Sequence, residues 1–268
     1  MPNRPKLAAH RGGAALWPEN SLLAFRNAIG LGSDLLELDV HLSADGELAV
    51  IHDPTLARTT DATGAVVSLG AADLRRVRPK GPRGALTDER LPLLDEVLEL
   101  AAPSAVELLV DVKGPAAGFG VRYERSGSAV PGPRYEGLEA ALLAKLAKAG
   151  LESRVTVMAF NPAVLARVSE LAPRQRTTLL VAARHIEEAG VPPEAAIDWV
   201  VRAGATDAGL QFTLVDDAVV RAARAAGVRL GVWTVNDEPA MRRLVELDVD
   251  VITSDRPDLL KRVLGPGS

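Results

Sequence analysis

Short apolar runs alternate with longer amphipathic stretches along most of this chain. The runs are rich in β-branched residues and Leu, whereas the stretches between them carry Ala, Leu, Arg and Glu. This alternation is typical of a parallel sheet covered by helices. The eight predicted strands span residues 6–10, 34–40, 106–112, 154–159, 176–181, 206–211, 228–234 and 249–253. Predicted helices between them include residues 21–31, 92–101, 136–149, 161–171, 216–226 and 237–247.

Eight strand–helix units favour a closed (β/α)₈ TIM-type barrel over an open sheet, and a length of 268 residues suits one such barrel. We therefore expect residues 1–268 to form a single barrel domain with an insertion at about residues 53–90. At the helix ends, Asn20 is a predicted N-cap, and Gly150 and Gly227 are predicted to close two helices as C-cap glycines.

Two segments interrupt the alternation. Asp45 and Gly46 give a hairpin signal after the second strand, so residues 47–52 are expected to return as an antiparallel strand. With the turn centred there, Asp39 would lie opposite His52. The inserted segment contains several Pro and Gly residues and is expected to form a small lobe over the barrel mouth. Residues 114–133 are rich in Gly, Pro and Ser, which is typical of either a functional lid or a disordered loop.

The composition excludes several classes of function. Cysteine is absent, which excludes disulfides, Cys–zinc sites and a Cys nucleophile. The net charge is −4 with acidic and basic residues interspersed, so no basic face indicates a nucleic acid as partner. The chain has neither a signal-like apolar stretch nor an apolar run long enough for a membrane span. We therefore expect a cytoplasmic protein without stable membrane insertion.

Carboxylates stand at strand ends where apolar residues would be expected. Glu37 and Asp39 are two residues apart on the second strand, so their side chains point to the same face, into the barrel. Asp111 lies at the end of the third strand, and active residues of such barrels project from these ends. Inward carboxylates on adjacent strands repel one another unless a cation or protons compensate them. An all-oxygen set suits one hard divalent cation, Mg²⁺ or Ca²⁺, rather than zinc.

Basic residues and histidines accompany these carboxylates. Arg11 and Lys113 would add fixed positive charge for a phosphodiester, and Arg can contact two oxygens at once. His10 and His52 titrate near neutrality, so the pair could supply a general base and a general acid on opposite sides of a phosphorus atom. Trp233, at the end of the seventh strand, is a candidate substrate contact.

Each candidate also has an ordinary structural explanation. A lone inward histidine is more often a hydrogen-bonded core residue than a catalytic one, and Trp233 is more often core than a substrate platform. Glu37 and Asp39 could pair with Arg or Lys of the barrel instead of a metal. We expect His41 to support the site and His185 to lie on the surface of a helix rich in Arg and Glu. The coincidence of so many polar residues at strand ends favours a functional site.

Several segments of this sequence resemble motifs of the glycerophosphodiester phosphodiesterase family. Residues 8–13 (AAHRGG) and 18–25 (PENSLLAF) resemble its opening signature. Residues 37–46 (ELDVHLSADG) and 50–56 (VIHDPTL) match its central part. Further similarity is found at residues 58–60, 91–98, 232–236 and 250–257. The resemblance touches most of the chain, and it is most specific in the first sixty residues.

The resemblance implies a barrel fold and assigns roles to the residues that match the family motifs. It implies that His10 and His52 are catalytic and that Arg11 contacts the phosphate. The metal ligands and the second phosphate contact that it implies are Glu37, Asp39, Asp111 and Lys113. Asp111 stands where the family usually has Glu, which is one methylene longer. We therefore expect a shifted ion, a bridging water or a lower metal affinity.

The reaction that the resemblance implies is metal-dependent hydrolysis of a small-molecule glycerophosphodiester to glycerol 3-phosphate and an alcohol. One histidine would deprotonate the nucleophile, and the other would protonate the departing alcohol. The nucleophile is either the glycerol 2-hydroxyl, which gives a cyclic phosphate that water then opens, or water itself. Two alternatives are a phospholipase D-like activity on lysophospholipids, which would need an apolar groove for an acyl chain, and an inactive binding homologue.

Overall fold

Eight parallel strands pair side by side until the last meets the first, in a computed structural model that describes residues 4–116, 118 and 120–265. The strands are β1 (Lys6–Ala9), β2 (Leu35–Leu42), β3 (Leu48–Val50), β4 (Glu107–Val112), β5 (Val121–Tyr123), β6 (Ala129–Pro131), β7 (Val155–Ala159), β8 (Arg176–Val181), β9 (Asp207–Gln211), β10 (Arg229–Trp233) and β11 (Val251–Ser254). β1 pairs with both β2 and β11, which closes the ring. β3 lies antiparallel to β2, and β5 and β6 form a separate hairpin. The predicted (β/α)₈ barrel is confirmed.

Helices lie between the barrel strands, and most of them cover the outer face of the barrel. They are α1 (Leu22–Leu31), α2 (Ala71–Leu74), α3 (Leu94–Ala101), α4 (Leu138–Ala149), α5 (Pro162–Leu171), α6 (Ala183–Ala189), α7 (Ala195–Arg202), α8 (Asp217–Ala226), α9 (Glu238–Glu246) and α10 (Pro257–Leu264). Within the described residues, no helix is both long enough and apolar enough to cross a bilayer.

Two apolar cores follow from the alternation of side chains along each strand. The larger core packs outward-facing strand residues against the helices; on β10 these residues are Leu230 and Val232. The smaller core lies inside the barrel and includes Leu109, Met158 and Leu180. Most of the apolar burial therefore occurs between the barrel and its helical layer.

The helix caps agree with the sequence in part. Gly150 and Gly227 end α4 and α8 with left-handed backbones (φ 67° for each), so the two predicted C-caps are confirmed. The predicted N-cap of the first helix is wrong by one residue, because Ser21 Oγ accepts the hydrogen bond from the Ala24 amide. Asn20 has a left-handed backbone (φ 58°), and its side chain points to β2 instead.

The hairpin after β2 forms as predicted, but its register differs by one residue. Val40 pairs with Val50, so Asp39 lies opposite Ile51 rather than opposite His52. The cause is the turn: Ser43 and Glu47 bond to each other through backbone and hydroxyl groups, which leaves a three-residue loop instead of a two-residue one.

The two irregular segments take different forms. Residues 53–90 contain a 3₁₀ helix (Val66–Ser68) and the short α-helix α2, and they pack around a satellite apolar cluster that includes Leu56, Val66 and Leu74. Within residues 114–133, the described part contains the β5–β6 hairpin, and Tyr123 of that hairpin stacks on Trp199 with ring centroids 4.0 Å apart.

The turn after β1 requires glycine for two reasons. Gly12 has a left-handed backbone (φ 79°), and a Cβ atom there would lie 2.7 Å from Ala24 Cβ and 2.9 Å from the Ala24 carbonyl carbon. Both the backbone conformation and the close approach of α1 therefore disfavour any side chain.

We predict that Gly12→Ala lowers the free energy of unfolding by roughly 2–4 kcal/mol, from left-handed backbone strain plus overpacking. Gly46 is a matched control, because it has φ 85° and nothing within 4 Å of an added Cβ. Gly46→Ala should cost about 1–2 kcal/mol, the backbone strain without the steric contact. Urea unfolding measures both values, and equal losses would contradict the steric argument.

Candidate active site

A cavity of about 560 Å³ opens where the carboxyl ends of the strands meet. Its lining includes every residue that was predicted from the sequence to be catalytic, substrate-binding or metal-binding. These are His10, Arg11, Glu37, Asp39, His52, Asp111, Lys113 and Trp233. The strands place them there because they stand at or next to carboxyl ends, which face the same mouth in a parallel barrel.

Three buried carboxylates form the centre of the site. Glu37 and Asp39 lie on β2, and the pairing of β2 with β4 puts Asp111 beside Asp39. One oxygen of each lies within 4.8 Å of the others, which fits ligands around a single ion with metal–oxygen distances of about 2.0–2.6 Å. Asp111 Oδ1 is buried and has no hydrogen-bond partner among the described residues. The shorter side chain thus still reaches the cluster, and one of its two oxygens is left without a hydrogen-bond partner.

Burial and mutual repulsion set the charges of these acids. Burial, followed by the neighbouring Asp39, raises the pKa of Glu37 to about 7. Burial also raises the pKa of Asp111, although Lys113 opposes the shift. Asp39 behaves in the opposite way: burial disfavours its charge, but Lys113 and Arg11 outweigh burial and hold its pKa well below the usual range. The neighbouring bases therefore compensate the charge of Asp39 more fully than the charge of Glu37.

Two basic side chains partly neutralise the cluster. Lys113 Nζ lies 2.8 Å from Asp39 Oδ1 and also contacts Asp111 Oδ2. Arg11 Nε lies 3.3 Å from Asp39 Oδ2, and its Nη1 donates to Glu19 at 3.1 Å. The carboxylates raise the pKa of both bases despite burial, so both stay charged. Asp39 thus does pair with barrel cations, as the structural alternative expected, whereas Glu37 accepts from the Arg11 amide instead, and the arrangement stays compatible with a metal.

His10 is held by a carboxylate from the other end of the chain. Its Nδ1 lies 2.6 Å from Asp255 Oδ1, and its Nε2 lies 3.9 Å from Glu37 Oε2. Asn236 fixes Asp255 by donating to Oδ2 at 2.6 Å and accepting from the Asp255 amide at 2.9 Å. Burial opposes protonation of His10, but Glu37 and Asp255 outweigh it and raise the pKa.

His52 is held in a similar way by its neighbour in sequence. Its Nδ1 lies 2.7 Å from Asp53 Oδ1, and Arg58 donates to both oxygens of Asp53 at 2.6 and 3.0 Å. Arg58 also bonds Glu19, which links this pair to Arg11. Burial lowers the pKa of His52 to about 4, with Lys113 adding to the shift and Asp39 opposing it. His52 is therefore neutral at neutral pH.

Asp53, Asn236 and Asp255 were not predicted from the sequence to be site residues. Asn236 and Asp255 do stand at strand ends, which was the available signal. Their pairing with His10 depends on closure of the ring between β1 and β11, which a local pattern does not reveal.

The two remaining histidines have structural surroundings. His41 Nε2 donates to the His52 carbonyl at 2.9 Å, and its Nδ1 lies 3.0 Å from Tyr135 Oη. Burial lowers the pKa of His41 to about 4, which suits this neutral form. The expectation that His185 lies on the surface is wrong, because it is buried 5.6 Å from the ring of Tyr123. Only one face of α6 is exposed, and the β5–β6 hairpin covers the other.

Trp233 forms part of the cavity wall. Its Nε1 donates to the Gly209 carbonyl at 2.8 Å, and its ring meets Phe160 edge to face at 5.5 Å. The indole is thus fixed by the barrel while one surface faces the cavity, which combines the core and substrate-facing positions that the sequence left open.

Several proteins of similar sequence and fold are named phosphodiesterases. A profile of the Glycerophosphoryl diester phosphodiesterase family matches residues 10–259. The chain is 30% identical to a glycerophosphodiester phosphodiesterase of Caldanaerobacter subterraneus, over 97% of each chain. It is 31% identical to one of Bacillus altitudinis, over 94% of this chain and 95% of the relative. A phosphodiesterase structure from Oleispira antarctica, in complex with the product sn-glycerol-3-phosphate, superposes with a TM-score of 0.77 at 25% identity, covering 97% of this chain and 96% of that one.

We predict that binding of a divalent cation releases protons in a pH-dependent way. Below the Glu37 pKa of about 7, the carboxyl carries a proton that an arriving cation must displace. Calorimetry in buffers of different ionisation enthalpy should therefore show close to one proton released at about pH 6 and almost none at about pH 8.5. Glu37→Gln should abolish this difference. An equal proton count at both pH values in the unaltered protein would contradict the charge assigned to Glu37.

Proposed function

The chain belongs to the glycerophosphoryl diester phosphodiesterase family, and we propose on this basis that it hydrolyses glycerophosphodiesters to glycerol 3-phosphate and an alcohol. One observation carries the proposal for these residues. Two imidazoles, each oriented by a carboxylate at Nδ1, line the cavity that holds the buried acidic cluster. A phosphodiester in this cavity would meet groups for proton transfer and for charge neutralisation together.

The acidic cluster would hold one divalent cation, Mg²⁺ or Ca²⁺, on Glu37, Asp39 and Asp111, and this ion would polarise a non-bridging phosphoryl oxygen. Arg11 and Lys113 supply fixed positive charge beside it. Arg11 is anchored by Glu19, so its guanidinium is already oriented before substrate arrives. Such pre-oriented charge stabilises a transition state without reorganisation at the moment of reaction.

We assign the proton transfers from the charges of the two histidines. His52 is neutral, and because Asp53 accepts the proton on its Nδ1, its Nε2 is left as the basic atom. It would take the proton of the nucleophile, which is water or the glycerol 2-hydroxyl. His10 has the higher pKa, and its Nδ1 is held by Asp255. It would donate its Nε2 proton to the oxygen of the departing alcohol.

The direct test is to incubate the purified protein with glycerophosphocholine and assay glycerol 3-phosphate. We expect its release together with choline, loss of turnover in excess chelator, and recovery on adding Mg²⁺ or Ca²⁺, with the better ion identified by the comparison. Accumulation of a cyclic glycerophosphate, followed by ³¹P NMR, would identify the 2-hydroxyl as nucleophile. Saturable binding without turnover would instead favour an inactive binding homologue.

We predict that His10→Ala and His52→Ala each lower kcat by at least about 100-fold, the usual contribution of a positioned acid or base. Asp255→Asn should lower kcat by about 10–100-fold with little change in KM, because Asp255 orients His10 without being placed against substrate.

Asp258→Asn is the matched control for Asp255→Asn. Its carboxylate pairs with Arg256 and does not line the cavity, so kcat should be unchanged. Near-normal turnover of His10→Ala would remove that residue from the mechanism, and equal effects of the two Asp→Asn changes would remove the orienting role of Asp255.

A further inference from the structure

The cavity does not end at the acidic cluster but continues down the inside of the barrel. Barrels of this kind are usually filled by layers of bulky branched side chains. Here the inward positions at the middle of β9 and β10 are Gly209 and Gly231, and both line the cavity. Its lining extends to Asp207 and Arg229, the first residues of these two strands. A single space therefore connects the catalytic mouth to the opposite end of the barrel.

The wall of this inner space, which we call the lumen, is largely apolar. Leu109, Met158, Leu180 and Val251 line it from four strands. They retain 8%, 7%, 4% and 6% exposure although they lie inside the barrel, because the lumen reaches them. Outward-facing neighbours such as Val157 are 0% exposed. Apolar walls favour an apolar occupant.

The length of the lumen indicates the size of that occupant. β10 advances four residues from Arg229 at the base to Trp233 at the mouth, which is about 13 Å along the strand. With a strand tilt of about 36°, the depth along the barrel axis is roughly 10 Å. An extended chain advances about 1.2 Å per bond, so roughly eight carbons span it. At the base, Arg176 pairs with Asp207 at 2.7 Å, and this charged end disfavours a longer apolar chain.

We propose that the lumen binds an unbranched alkyl chain of about eight carbons attached to the phosphodiester at the mouth, so that glycerophosphodiesters carrying a medium-length acyl chain are also substrates. This inference rests on the proposed function, because the phosphate site is what anchors the chain above the lumen.

Gly231 offers the sharpest test of the lumen. An added Cβ there would lie 3.6 Å from both the Ala208 carbonyl oxygen and Val251 Cβ, which is ordinary contact, so a larger side chain can enter the lumen. Gly209 is unsuitable, since a Cβ there would lie 2.5 Å from Leu180 Cδ2.

The experiment measures kcat/KM for choline release from glycerophosphocholine and from 1-acyl-glycerophosphocholines of increasing chain length, below their micelle concentrations. We expect kcat/KM to rise by up to about fourfold for each methylene buried and to stop rising near eight carbons. Gly231→Val should lower the octanoyl-to-unacylated ratio of kcat/KM by about tenfold or more, because its methyl groups occupy the path of the chain.

Two further variants complete the test. Leu230→Ile is a same-size exchange on the outward face of β10 and should leave the ratio unchanged. Val251→Ala removes apolar contacts from the wall of the lumen without changing its depth, so it should lower the octanoyl-to-unacylated ratio of kcat/KM several-fold and leave the limit near eight carbons, which provides a second test if Gly231→Val does not fold. Hydrolysis of glycerophosphocholine with no dependence on chain length, or a dependence that Gly231→Val and Val251→Ala leave intact, would overturn the lumen proposal alone. Failure to hydrolyse any member of the series would overturn the proposed function.

Discussion

Mutual repulsion among three buried carboxylates is the constraint on which the arrangement of the site depends. Glu37, Asp39 and Asp111 lie within one hydrogen-bonded sheet and cannot move apart without breaking it. Their charges must therefore be compensated where they stand, by bases, by protons or by a cation. Lys113 and Arg11 compensate the charge of Asp39 most fully. The raised pKa of Glu37 reflects the negative charge of the cluster that these two bases do not compensate.

The same constraint explains the polar shell around the cluster. Asn20 donates to Asp39 at 2.7 Å, and its left-handed backbone makes this contact instead of a helix cap. The Arg11 amide donates to Glu37 at 2.9 Å from the left-handed turn after β1. Glu19 then bonds the guanidinium of Arg11 from outside. Each acid of β2 is thus held by a residue with a left-handed backbone, and the hydrogen bonds to the carboxylates offset the cost of that conformation.

How far the sequence predicts this structure depends on the range of the interaction concerned. The alternation of apolar runs gave all eight barrel strands, because burial of alternate faces is a local property. Placement of His10, Glu37 and Asp111 at one mouth followed from the parallel topology. The hairpin register required knowledge of the Ser43–Glu47 bonds, and the His10–Asp255 contact joins residues 245 positions apart. The lumen depends on which side chains face each other across the ring, so no single strand discloses it.

The separation of the two apolar cores has a consequence for how such a site can vary. The outer core between barrel and helices carries most of the buried apolar surface, and only a few of its members, such as Val112 and Val164, also line the cavity. The inner core is small, and salt bridges such as Lys6–Glu107 and Arg176–Asp207 stand at the base of the barrel. Changes inside the barrel therefore disturb few of the contacts that hold the fold. Gly231 adds no side chain to the inner core, and the space beside it belongs to the cavity. The outer faces of the strands thus carry most of the apolar packing, while the inner faces line the cavity.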